Sequence, residues 1–106
     1  MKTKADVIFR VDTTRDFRGE VIAIFPYEIA TLKGQITIYV HVGQHSSADY
    51  QVCLRTSRLA KKQEAKSLKA ELESLGYELN VIKKQNYKKY LKNYYKETQF
   101  ATCVLD

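Results

Sequence analysis

Tryptophan is absent from this chain, proline occurs once, at Pro26, glycine four times and cysteine twice. So little proline and glycine leaves no room for a collagen-like or flexible-linker segment. Cys53 and Cys103 stand far apart, without the short spacing of a zinc-binding pair. No apolar run approaches the length of a membrane span, and Met1 to Arg10 are too few and too polar for a signal-peptide core. Without an export signal, both cysteines are expected to be reduced thiols and the protein cytoplasmic. Cys103-Val104-Leu105-Asp106 places a cysteine where a prenylation box has one, but a terminal aspartate is a poor match to that box.

What is present suits one folded unit. A chain of 106 residues has the length of one ordinary domain. Chains of this size bury roughly two-thirds of the surface exposed when unfolded. A composition 44% hydrophobic and 28% charged belongs to a globular protein rather than a disordered one. The net charge of +6 favours acidic partners such as nucleic acid, an anionic membrane or an acidic protein. Against this stands the plainer reading that the lysines only confer solubility.

Period-two alternation dominates the first half. Val7, Phe9 and Val11 predict a first strand, with Asp12 to Gly19 as a hairpin loop. Glu20 to Phe25 predicts a second strand, ended by Pro26, which lacks a ladder N–H. In the third strand Ile36, Ile38, Val40 and Val42 face one way, and Thr37, Tyr39 and His41 the other. Gly43 to Asp49 reads as a polar loop, and Tyr50, Val52 and Leu54 as a fourth strand.

The period then becomes helical: Ala65, Leu68, Leu72 and Leu75 recur at steps of three or four. Ser57 is the expected N-cap, Gly76 the left-handed residue after the C-terminus, and Lys69–Glu73 an outward ion pair. This Ser57–Leu75 helix is expected on the face bearing Ile36, Ile38 and Val40. Tyr77, Leu79 and Val81 predict a fifth strand. From Lys83 to Lys96 lysines interleave with tyrosines and no acidic side chain intervenes. Tyr87, Tyr90, Leu91 and Tyr94 fall on one face of a second amphipathic helix. Phe100 to Leu105 reads as a short strand or a frayed tail. The expected fold is α+β: a small, mostly antiparallel sheet of four or five strands packed with one amphipathic helix, plus a basic C-terminal helix. Residues 1–84 form the α+β domain, and 85–106 a tyrosine-rich helix and tail packed on it.

Three segments carry a resemblance: Gly19-Glu20-Val21-Ile22-Ala23-Ile24-Phe25-Pro26, then His41-Val42-Gly43-Gln44-His45 with Ala48-Asp49-Tyr50, and Leu68 through Tyr77. In this order, over roughly Val7 to Lys83, the chain resembles a group of short uncharacterised proteins of bacteriophages and integrated mobile elements. The resemblance implies a genomic setting rather than a mechanism. Members of that group often have a proline before the helix, where this chain has Ser57-Arg58-Leu59. The segment beyond Lys84 lies outside the resemblance.

Catalytic constellations are sparse, and no enzymatic activity or cofactor is expected. His41, His45 and Asp49 are spaced by four, but on a strand four residues span about 13 Å, too far to share a metal ion unless the chain turns at Gly43. The alternative is that Gln44, His45, Ser46 and Asp49 bond to their own backbone and shape the loop. Ser46 and Ser47 adjoin His45 but lack a GxSxG elbow, and no glycine-rich phosphate loop exists.

The basic segment is the stronger clue. Lys83, Lys84, Lys88, Lys89, Lys92 and Lys96 suit phosphates, and an exposed Tyr95 suits an unpaired base. The competing reading docks the tyrosines on the sheet and leaves the lysines to water. A second surface groups Arg10, Tyr39, His41 and Arg55 on the outward sheet face, as a protein-binding or homodimer interface. The first choice of partner is nucleic acid. The alternative is a host protein bound through that face or the 43–49 loop.

Overall fold

The computed structural model describes the backbone over 3–40 and 44–105, and side chains over 4–40 and 45–97. Strands β1 (Thr3–Asp12), β2 (Val21–Ile29), β3 (Ile36–Val40) and β4 (Gln44–Ala48) lead into helix α1 (Tyr50–Thr56). Then come β5 (Ser57–Leu59), α2 (Lys62–Ser74), β6 (Tyr77–Val81) and α3 (Tyr87–Leu105). The sheet runs β4-β3-β2-β1-β5, with β6 also pairing β1. All pairings are antiparallel except β1–β6. The fold is therefore α+β with a mostly antiparallel sheet. Among the described residues no helix is long and apolar enough to cross a membrane.

Alternation along β1 supplies two cores. Val7 and Phe9, with Ala23, Phe25 and Tyr39, meet Ala65, Leu68 and Leu72 of α2. Ile8, Ile24 and Ile36 point the other way, towards Cys53 of α1 and the partly buried Tyr90 of α3. The sheet is thus covered on both sides. This corrects the expected placement of α2, which lies on the Tyr39 face, while Ile36 and Ile38 serve the α1/α3 face. Alternation tells which residues share a face, but not which helix covers it.

Pro26 does not end its strand; it lies buried within β2. The β1–β2 ladder stops at Ile8↔Ile24. Two residues further on, Pro26 would face Asp6 without an N–H to offer, and its carbonyl accepts from Gln85 Nε2 at 2.7 Å. On the β3 side the register shifts between Phe25 and Ile29. The proline sits where the ladder is already broken, so it costs no strand bond.

Three other segments differ from expectation. Residues Gln44–Ala48 form an edge strand on β3 rather than a loop. Tyr50, Val52 and Leu54 lie in α1, whose N-cap Asp49 accepts from the Gln51 N–H at 3.0 Å. Tyr50 and Cys53, one helical turn apart, face the core. Ser57 belongs to β5, and α2 begins only after Lys61, whose N–H donates to Glu64 Oε1 at 2.8 Å. Gly76 does follow α2 in the left-handed region, at φ 102°. Lys69 and Glu73 form no ion pair.

Candidate functional site

Helix α3 begins where several polar side chains converge. The Asn86 side chain accepts from the Lys89 N–H at 3.2 Å and so caps the first turn. The Asn86 N–H donates to Tyr27 Oη at 2.8 Å, and the Gln85 N–H to Tyr50 Oη at 2.9 Å. Together these bonds tie the entry of α3 to both β2 and α1.

The inner side of α3 docks through hydrogen bonds to main-chain carbonyls. Tyr90 Oη donates to the Gly34 carbonyl at 2.6 Å, Tyr94 Oη to Leu32 at 3.0 Å, and Asn93 Nδ2 to Tyr27 at 3.1 Å. Burial, and then the neighbouring Tyr94, push the Tyr90 phenol pKa up. Gly34 has φ 87°, and a Cβ there would lie 2.6 Å from Tyr90 Oη. Glycine is favoured on both counts.

Helical geometry then decides the outer side. With Tyr90, Asn93 and Tyr94 turned inward, Lys88, Lys92, Tyr95 and Lys96 turn to solvent, Tyr95 being 56% exposed. Lys83 and Lys84 are exposed just ahead of the helix. Lys89 is differently engaged: its Nζ lies 2.9 Å from Asp6 Oδ2 and 4.3 Å from the centre of the Tyr27 ring. Asp6 is held below the usual carboxylate range by bonds from Asn80 and then Lys89. Lys89 therefore fastens α3 to β1 instead of standing on the ridge. Tyr87 remains 63% exposed, so the tyrosine stripe is only partly docked.

Of the four residues expected on the outward sheet face, Tyr39 and Arg10 are interior. Tyr39 is 1% exposed; its hydroxyl donates to Glu71 Oε2 at 2.5 Å, and its ring meets His45 edge-on at 4.7 Å. Arg10 is buried on the opposite face, where Nε donates to Ser57 Oγ at 2.7 Å and Nη2 to the Ser57 carbonyl at 2.6 Å. The Ser57 hydroxyl in turn donates to the Cys53 carbonyl. Arg10 thus closes the C-terminal end of α1, where carbonyls lack partners and a cation is favoured. Arg10 pairs with Ile22 and Tyr39 with Ala23, neighbours on β2 that point to opposite faces, which sequence alone could not reveal without the register. Arg55 is exposed in the last turn of α1. His41 lies outside the described residues.

His45 and Asp49 do not converge on a common point, since Asp49 caps α1 and His45 lies against Tyr39, with Tyr77 Oη 3.4 Å from its Nε2. Among the described residues no three His, Cys, Asp or Glu side chains gather as metal ligands do. Burial raises the pKa of the Cys53 thiol, which disfavours the reactive thiolate.

Over the described residues the fold is a three-layer α+β domain, with one helix on one side of the sheet and two on the other. No family model, curated protein or solved structure matches the chain.

Proposed function

We propose that this chain is a small, non-catalytic binding protein that contacts nucleic acid through the outward side of α3. The observation supporting this is the division of labour on that helix. Tyrosine and asparagine hold it to the sheet, and Lys88, Lys92 and Lys96 are left as a solvent-facing ridge beside Tyr95. Lys83 and Lys84 extend the positive charge ahead of the helix. Such a ridge neutralises phosphates, and an exposed tyrosine beside it offers a stacking surface for an unpaired base. On the resemblance over Val7 to Lys83, the setting we infer is the cytosol of a cell carrying a phage or mobile element.

Salt dependence tests this reading. With about four lysines on phosphates, log affinity falls with log salt at a slope of about −3 to −4. Between about 50 and 200 mM salt the loss is roughly a hundredfold. Lys88→Ala, Lys92→Ala and Lys96→Ala together flatten the slope and weaken all sequences alike, since phosphates carry no base information. Tyr95→Ala weakens single strands selectively. Absence of binding to DNA and RNA, single- and double-stranded, at low salt rejects the proposal.

One observation favours a second reading. Among the described residues β4 pairs with β3 alone, which leaves its outer edge for an added strand from a partner protein. With Tyr39 and Arg10 buried, the 43–49 segment is the host-protein surface this reading uses. A pull-down with and without nuclease separates the readings: a protein partner that survives nuclease and is lost on Ser46→Pro supports the second.

A further inference from the structure

Strands β5 and β6 lie on the same edge of β1 and approach each other head-on. β5 runs antiparallel, pairing Leu59 with Arg10, and β6 runs parallel, pairing Val81 with Val7. The Ala60 N–H reaches the Phe9 carbonyl, and the Ile82 N–H the Val7 carbonyl, each at 2.9 Å. Neither chain can go further without meeting the other, so both leave the sheet there. Their divergence opens a groove of about 310 Å³ beside α2. That volume is at the small end of ligand sites.

The floor of the groove is apolar, formed by Phe9 and Ala65. On its walls, Leu59 and Val81 are 43% and 51% exposed. Three cations, Lys62, Lys69 and Lys83, stand around it, and no carboxylate lines it among the described residues. Within the described residues these lysines have no ion-pair partner. Glu64, in the same turn as Lys62, is held by Arg58 through two bonds of 2.9 and 2.7 Å. Lys69, free of Glu73, is half-buried at the groove rather than extended from the outer surface.

An apolar trough with an unopposed cationic rim complements an amphiphilic anion, such as an alkyl chain ending in a carboxylate. We propose that the groove between β5, β6 and α2 binds a free medium-chain fatty acid, with its chain against Phe9, Leu59 and Val81 and its carboxylate among Lys62, Lys69 and Lys83. Lysine stems extend the apolar walls while their ammonium groups hold the head. Apart from Lys83, which stands between the two, the site is separate from the α3 ridge, since α2 and α3 cover opposite faces of the sheet.

Titration calorimetry of the full chain with octanoate, decanoate and dodecanoate, each below its micelle concentration, tests this. Affinity rises by about fourfold per methylene while the chain is being buried, and levels off once the groove is full. Decanol binds about tenfold more weakly than decanoate, for want of the charge-assisted bonds. Lys62→Gln, Lys69→Gln and Lys83→Gln together erase that preference, and Leu59→Glu, at an exposed position, abolishes decanoate binding. Replacing Lys88, Lys92 and Lys96 by alanine leaves decanoate binding intact. Equal affinity for acid and alcohol overturns the proposal, as does a rise with chain length that never levels off. So does binding confined to vesicles of anionic phospholipid, which would mark a membrane surface as the partner.

Discussion

The helices α2 and α3, on opposite sides of the sheet, are attached by different chemistry. On one side, Leu68 and Leu72 of α2 are fully buried against Val7, Phe9, Ala23 and Phe25, and attachment rests mainly on area removed from water, with the Tyr39–Glu71 bond beside it. On the other, α3 is held by Tyr90, Asn93 and Tyr94 donating to main-chain carbonyls, and by the Asp6–Lys89 pair. Each such bond contributes only about 0.5–1.5 kcal/mol net, but it fixes direction as burial cannot. The contrast teaches that α2 makes the fold stable, whereas α3 is oriented by it. A precisely oriented helix presents the same residues outward every time, as a binding ridge requires.

Four measurements would break or sharpen this contrast. The largest effect is expected from Leu72→Ala, which should cost about 2–5 kcal/mol in denaturant unfolding. Wild-type stability in that variant would mean that α2 is not the principal source of stability.

Gly34→Ala comes next. It forces a side chain into a left-handed backbone at a cost of about 1–2 kcal/mol, and it pushes against the Tyr90 hydroxyl. Hydrogen exchange should quicken in α3 and remain slow in α2. Equal loosening of both helices would erase the distinction drawn between the faces.

Tyr90→Phe is milder, removing the bond to Gly34 while keeping the ring. About 0.5–1.5 kcal/mol should be lost. No change at all would place the anchoring of α3 in its ring contacts rather than its hydroxyls.

Acid gives the smallest effect. Arg58, and then the Lys61 N–H, hold Glu64 down to about 2 from an ordinary 4.5. A carboxyl depressed on folding adds stability that is complete above its unfolded pKa and lost as pH falls through the folded one. Stability should therefore fall between about pH 4.5 and 2, with Asp6 acting in the same direction. Because Glu64 is at the surface, the contribution is small and should shrink in high salt. In Arg58→Gln the pH dependence assigned to Glu64 should flatten; an unchanged profile would move that dependence to other carboxylates.

Strong local patterns were legible from the start. The alternation in β1 and β3, the three- and four-residue spacing of Ala65, Leu68 and Leu72, and the left-handed Gly76 all follow from near-neighbour geometry. Short segments were not. Tyr50, Val52 and Leu54 alternate like a strand, yet seven residues fit two helical turns equally well, and only Asp49 as a cap signalled helix. Gln44 to Ala48 has no apolar period, because an edge strand of polar residues is stabilised by its ladder with β3 rather than by burial. The basic ridge was visible as composition, but Lys89 could be separated from it only once Asp6 and Tyr27 were found beneath.

By itself, then, the sequence determined the class of fold, its main helix and the positive charge of its 83–96 segment, since these depend on spacing and composition within a few residues. Tertiary structure decided which face each helix covers, that Arg10 and Tyr39 are interior on opposite sides, and that a groove opens where β5 and β6 meet. Each of these depends on the register between strands distant in the chain. Turns and apolar alternation fix register between hairpin neighbours, but pairings such as β1 with β5 and β6 bring together segments far apart in the chain.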